Sequence, residues 1–236
     1  MLNTALLRQG AEQFGLPLTE DMLRQFEEYA ARLCAYNEKV NLTAITDPDG
    51  IAVKHFVDSI APLHFYPVPQ GARLADVGSG AGFPSVPMAV VRPDLSITQI
   101  DSLNKRLVFL SELCAALGIR AQQVHLRGEE AGRKAEHREV YEVVTARAVA
   151  RLNILCEWCL PLVKPGGVLL ALKGPEGTQE LKQAHNAVKE LGGRALEPVC
   201  YTLPDKSART LVIIKKISQT STKYPRQTGK ITKKPL

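Results

Sequence analysis

Three glycines at alternate positions, Gly78, Gly80 and Gly82, follow the apolar run Leu74-Ala75-Asp76-Val77 and lead into Phe83-Pro84. Glycine tolerates positive φ and lets a ligand lie against bare peptide. A strand breaking into such a loop predicts a seat for a nucleoside-bearing cofactor. A dinucleotide fingerprint, G-x-G-x-x-G, would place its third glycine at position 83, where this chain has Phe. A nicotinamide oxidoreductase is disfavoured accordingly. Asp76, at the strand end, would repel a pyrophosphate but suits a cofactor with an ammonium group, directly or through water. S-adenosylmethionine carries such a group. Asp76, Gly78, Gly80, Gly82 and Phe83 are the first candidate cofactor contacts.

A second apolar run, Leu95 to Ile100, ends in Asp101, about 20 residues beyond the loop, where doubly wound folds place the carboxylate that accepts the ribose hydroxyls. Asp101, with Ser102 and Leu103 beside it, is expected to hold the adenosine ribose, although an Asp before a helix also reads as a cap. A third run, Ala121 to Leu126, opens into Arg127-Gly128-Glu129-Glu130. There Gly128 and Glu129 could meet the adenine edge, or simply place charge at a helix start.

The elements needed to position these residues are legible as alternation. From Arg73 onward the pattern predicts strands at 73–77, 95–100, 121–126, 140–145 and 167–172, with helices between, then an antiparallel pair near 195–203 and 209–216. Before them come three helical patterns, at Asn3 to Phe14, Thr19 to Asn37, and from Asp47-Pro48, an N-cap followed by a first-turn proline. The expected organisation is an N-terminal helical cap over 1–66, an α/β domain over 67–217 and a tail over 218–236.

Composition bounds the partners. The chain has 236 residues, 45% of them hydrophobic and 23% charged, as in an ordinary globular protein. No apolar run approaches a membrane span and no secretory signal is visible, so a cytoplasmic location is expected. Five cysteines, an odd number, agree with a reducing compartment. Cys156-Glu157-Trp158-Cys159 has C-x-x-C spacing without a second pair, so it reads as core and no metal is expected. The net charge of +6 is uneven: Lys215 to Leu236 holds seven bases and no acid, leaving 23 bases against 24 acids in the rest. With few apolar residues, the segment from Ser218 is expected to be disordered and to grip RNA through Lys223, Arg226, Lys230, Lys233 and Lys234.

Asn41-Leu42-Thr43, Lys54-His55-Phe56-Val57-Asp58-Ser59, Asp76 to Pro84, Asp101 to Arg106, Thr145 to Ala150 and Leu172-Lys173-Gly174 occur in that order. Together they resemble the bacterial small-subunit ribosomal RNA methyltransferase G family, also called glucose-inhibited division protein B, over nearly the whole chain. The resemblance implies a class I methyltransferase fold, a Rossmann-like sheet of seven mostly parallel strands with an antiparallel last strand. It also implies S-adenosylmethionine-dependent methylation of guanine N7 in the decoding-region loop of 16S rRNA; the substrate form is open between naked RNA, an assembling particle and the finished small subunit, and the chain is expected to act as a monomer. Ser85 departs from the family, whose members usually carry Gly after Gly-Phe-Pro.

The residues at the fourth strand end are compatible with that target. Methylation of an exocyclic amine usually calls for Asn or Asp followed by Pro-Pro and an aromatic, whereas this chain reads Thr145-Ala146-Arg147-Ala148. Carbon methylation needs a thiolate there, and no Cys is present. Guanine N7 has an exposed lone pair and no proton to lose, so alignment supplies much of the acceleration. Arg147, just past the strand, is the leading candidate at the meeting of cofactor and base, and the family's Arg at this point lies against the cofactor. His55 is the second catalytic candidate, expected to pair with Asp58, three residues on along one helix face, and to line the substrate side, donating to RNA or taking part in positioning. Lys54, His55, Arg127, Lys173 and Arg209 are candidate RNA contacts. A noncatalytic ribosome-assembly factor is the alternative of another class.

Overall fold

The computed structural model describes residues 1–236. Eight strands form one sheet: β1 (Arg73–Val77), β2 (Ser96–Asp101), β3 (Ala121–His125), β4 (Tyr141–Arg147), β5 (Val163–Lys173), β6 (Gly193–Ala195), β7 (Val199–Thr202) and β8 (Ala208–Lys216). The order is β3-β2-β1-β4-β5-β8-β6, with β7 also on β8. The first five strands run parallel, and β8 is antiparallel to β5. The expected class I fold is therefore present, with one difference. The single strand expected over 195–203 is split in two, because Pro198 has no N–H to donate and the register with β8 slips between Ala195↔Ile214 and Val199↔Leu211.

The helices are α1 (Thr4–Gln13), α2 (Glu20–Asn37), α3 (Pro48–Gly50), α4 (Asp58–Ile60), α5 (Pro62–Phe65), α6 (Ser85–Val91), α7 (Asn104–Ala116), α8 (Gly128–Ala131), α9 (Leu152–Cys159), α10 (Gly177–Gln183), α11 (His185–Glu190) and α12 (Thr228–Lys233). Asn3 and Thr19 cap α1 and α2 through their side chains, and Asp47 caps α3. Between α3 and α4 the chain continues as a π-helix over Ile51–Val57. The cap helices share one core with the sheet domain, since Phe26, Tyr29 and Phe56 pack in the same cluster as Phe83, Val86, Leu107 and Leu110. No helix is long and apolar enough to cross a membrane.

The tail is the main correction to the sequence reading. Residues 218–236 are folded against the α/β domain and end in α12, with Tyr224 and Ile231 buried. Polar contacts compensate for the scarcity of apolar residues. The Arg226 guanidinium forks onto the fully buried Glu157 carboxylate, with Nη2 2.7 Å from Oε2 and Nε 2.9 Å from Oε1. Arg138 Nη2 donates to Thr220 O at 2.7 Å and Nη1 to Tyr224 O at 2.9 Å. Lys216, buried at the end of β8, reaches Glu139 at 2.9 Å and Thr220 Oγ1 at 2.7 Å.

Candidate active site

The C-terminal ends of β1, β2 and β4 enclose a cavity of about 250 Å³. Asp101 and Gly78 line it from the strand ends, Gly128 and Glu129 from α8, Ala148 and Val149 from the turn after β4, and Trp158 from α9. Gly78 sits at φ +70, and a Cβ there would lie 2.7 Å from Val149 Cγ2. Only glycine satisfies both the backbone and the close approach. Ala148 is itself left-handed, at φ 57, a conformation costing a non-glycine residue about 1–2 kcal/mol. That turn brings Val149 over the glycine loop.

Asp101 ties the cradle together. Its Oδ2 accepts from Gly80 N at 2.9 Å, and its Oδ1 accepts from Leu103 N at 2.9 Å. Arg106 Nη1 lies 3.5 Å from Oδ2. The side chains of Ser102 and Leu103 are exposed beside it. A larger cavity of about 590 Å³, between α2, α3 and the first two residues of the chain, lies outside these strand ends.

Asp76 does not face this cavity. It is fully buried, and its carboxylate accepts from Ser85 Oγ at 2.7 Å and Thr145 Oγ1 at 3.0 Å. Burial pushes it up to about 6, against the lowering effect of these hydrogen bonds and of Arg147. The carboxylate braces β1, β4 and α6, with Ser85 supplying a donor, and its burial blocks the direct one of the two ammonium contacts expected, direct or through water. Gly82 likewise serves packing. At φ +100 its added Cβ would lie 2.8 Å from Tyr29 Oη.

Beyond the loop a second cluster joins the cap to β4. Phe83 is buried in a column, stacked on Tyr29 at 5.3 Å and on His55 at 4.4 Å, with the Arg147 guanidinium 4.7 Å above its ring. It is not a wall of the nucleoside cavity, and its covered faces leave it no room to stack on a base. Arg147 Nη1 donates to Lys54 O at 2.9 Å and Asp58 Oδ2 at 3.2 Å, and Nη2 to His55 Nδ1 at 3.4 Å. His55 Nε2 therefore carries the proton and donates to Thr43 Oγ1 at 2.7 Å. Burial first, and the Arg147 charge second, hold His55 down at about 3, so it is neutral at physiological pH.

The His55–Asp58 pair expected from helical spacing does not form. Residues 51–57 wind as a π-helix, which turns Asp58 instead to Arg147 and to Arg209 Nε at 3.1 Å. Several other basic candidates are also engaged within the fold. Lys173 Nζ reaches Ala150 O at 2.6 Å and Glu180 at 2.7 Å, and Arg226 is held by Glu157. Lys54 is half exposed, 3.5 Å from Asp205. Arg127, Lys230, Lys233 and Lys234 are exposed, and Lys223 is exposed 3.5 Å from Glu190. Cys156 and Cys159 are fully buried in the core, and burial drives Cys156 up to about 12 and Cys159 well above its usual range. No group of three or more His, Cys, Asp or Glu is arranged to hold a metal ion.

The sequence profile described as rRNA small subunit methyltransferase G matches residues 22–211. The ribosomal RNA small subunit methyltransferase G of Lactobacillus delbrueckii subsp. bulgaricus is 46% identical over 239 residues, covering 100% of both chains. That of Staphylococcus haemolyticus is 47% identical over 232 residues, covering 98% of this chain and 96% of its own. The chain belongs to the rRNA small subunit methyltransferase G family. Its fold is shared with a SAM-dependent O-methyltransferase from Thermotoga maritima, at a TM-score of 0.53 and 14% identity over 80% of this chain and 72% of that one. P. horikoshii TYW2, solved in complex with MeSAdo, aligns with a TM-score of 0.50 and 17% identity, over 63% of this chain and 59% of its own.

As a member of this family, the chain uses S-adenosylmethionine as cofactor, and the cavity suits that group. Its floor is glycine peptide, a carboxylate stands at the end of β2, and the Trp158 indole Nε1 in its wall is a buried donor with no protein partner. Trp158, Val149, Ala148 and Arg106 were not singled out by sequence reasoning. A Trp in an apolar helix reads as core, and a left-handed alanine leaves no compositional trace.

Proposed function

We propose that this methyltransferase acts on N7 of a guanine in 16S rRNA, the guanine at position 527, on free RNA or the small subunit, as a cytoplasmic monomer. The supporting observation is the chemistry available at the β4 end. No side chain there is free to take a proton. His55 is neutral with both ring nitrogens engaged, and Asp76 is sealed beneath Ser85 and Thr145. Guanine N7 needs no such base, because its lone pair is already exposed. When bound, S-adenosylmethionine supplies a methyl group activated on a sulfonium.

The protein's part is orientation and exclusion of water. Asp101 and the glycine loop hold the nucleoside, with Glu129 and Gly128 toward the adenine edge. Arg147 is fixed from three sides, which leaves its Nε–H and one Nη2–H for guanine O6 or a phosphate. Lys54 and Arg127 beside the site, and Lys223, Lys230, Lys233 and Lys234 on the tail, form the RNA-facing charge. Lys173, Arg209 and Arg226 serve the fold instead. Incubation with labelled S-adenosylmethionine and small subunits lacking the modification should place one methyl on a single guanine N7. Label on another atom would overturn the N7 assignment, and RNA binding without transfer would make the chain an assembly factor.

A further inference from the structure

The folded tail meets the cofactor cavity at two of its walls, and one contact reaches a residue that lines it directly. Thr228, the first residue of α12, donates its hydroxyl to Glu129 Oε1. Glu129 is 4% exposed and stands in the cavity wall next to Gly128. A second tail residue, Arg226, grips Glu157, the neighbour of the cavity residue Trp158, and also donates its backbone N–H to Glu157 Oε1 at 2.7 Å. The walls so held are themselves tightly fitted, since a Cβ on Gly128 would lie 2.9 Å from Val77 and 3.0 Å from Trp158 Cβ. Pro225 closes the back of the same turn, where a Cβ on Gly132 would lie 3.2 Å from Pro225 Cγ.

We propose that the C-terminal strap is a working part of the cofactor site, with Thr228 a positioning residue that fixes the Glu129 carboxylate for recognition of the adenine edge. This rests on the reading of the cavity as the S-adenosylmethionine seat. A carboxylate with one oxygen pinned by a hydroxyl keeps a single orientation of its other oxygen, and can present it to a donor such as an exocyclic amine. Freed from Thr228, the same side chain would rotate among its rotamers, and each binding event would have to order it again. Adenine carries that amine and hypoxanthine does not. The strap should therefore govern how strongly the site distinguishes the two bases, beyond any effect on affinity alone.

The test is calorimetry on the full-length protein with S-adenosylhomocysteine and its deaminated analogue, S-inosylhomocysteine. Thr228→Val keeps the side-chain shape and removes the hydroxyl, and it should weaken S-adenosylhomocysteine binding by about tenfold. It should also reduce the preference for adenine over hypoxanthine. Thr228→Ser should restore both within about twofold. In steady-state assays the KM for S-adenosylmethionine should rise while kcat stays close to wild type. Wild-type affinity and base preference in Thr228→Val, with Asp101→Ala impaired, would overturn the strap's role alone. Failure of the wild-type protein to bind S-adenosylhomocysteine would instead overturn the cofactor seat. A Thr228→Val loss that is equal for both analogues, or not rescued by Ser, would reduce the contact to a structural one and refute the positioning role.

Discussion

His55 lies against Phe83 and Arg147 as a neutral ring, and that state carries a stability cost in acid. In the unfolded chain the imidazole takes up a proton near its usual 6.5, whereas the folded protein resists protonation down to about 3. The unfolded state gains protons first as the pH falls between those values, so stability drains at about 1.4 kcal/mol per pH unit. Asp76 works in the opposite sense. Raised to about 6, its contribution is fully present below its usual carboxylate value and is lost as the pH rises through about 6. His55→Gln, which keeps a donor for Thr43, should remove roughly 2 kcal/mol of the stability lost between pH 6.5 and about pH 5. Urea unfolding midpoints of both proteins across that range measure it, and parallel curves would contradict the neutral assignment.

Among the elements, the strand-to-loop turn after β1 carries the strictest geometric demand. Gly78→Val would need a left-handed β-branched residue and would press on Val149, so S-adenosylhomocysteine affinity should fall by at least about 100-fold. Asp101→Ala, which frees Gly80 N–H and removes the ribose acceptor, should weaken it by at least about tenfold. Calorimetry checks both, and wild-type affinity would mean that the loop does not hold the cofactor. This turn was legible in the sequence because its chemistry is local: apolar run, alternating glycines, then an acidic residue one strand further on. The π-helix was not. Arg147 reaches Lys54 O within it from 93 positions away, and no window of sequence contains that contact. The role of Ser85 was equally hidden, since its partner Asp76 becomes visible as a buried carboxylate only when β4 closes over it.

At the level of the whole molecule, the tail changes the expected division of labour. Its low apolar content suggested a solvated arm, but Glu157 and Glu129 lie 69 and 99 positions from their tail partners, and such pairings leave no periodic signal. Removal of 218–236 would strip a fully buried carboxylate of its guanidinium, at a cost of about 3–5 kcal/mol. Truncation therefore cannot isolate RNA binding. A Lys230→Ala, Lys233→Ala, Lys234→Ala variant can, because those side chains are exposed on α12 and its end. It should lower the steepness of the log-affinity against log-salt plot for single-stranded RNA by about 2. Its melting temperature should stay close to wild type, and an unaltered slope would remove these lysines from the RNA face. The core that α1, α2 and the π-helix share with α6 and α7 bears on recombination among relatives. A chimera grafting a foreign first 66 residues onto this chain would meet Val86, Leu107 and Leu110 with mismatched volumes. Exchange of substrate preference between such enzymes would have to carry both sides of that contact together.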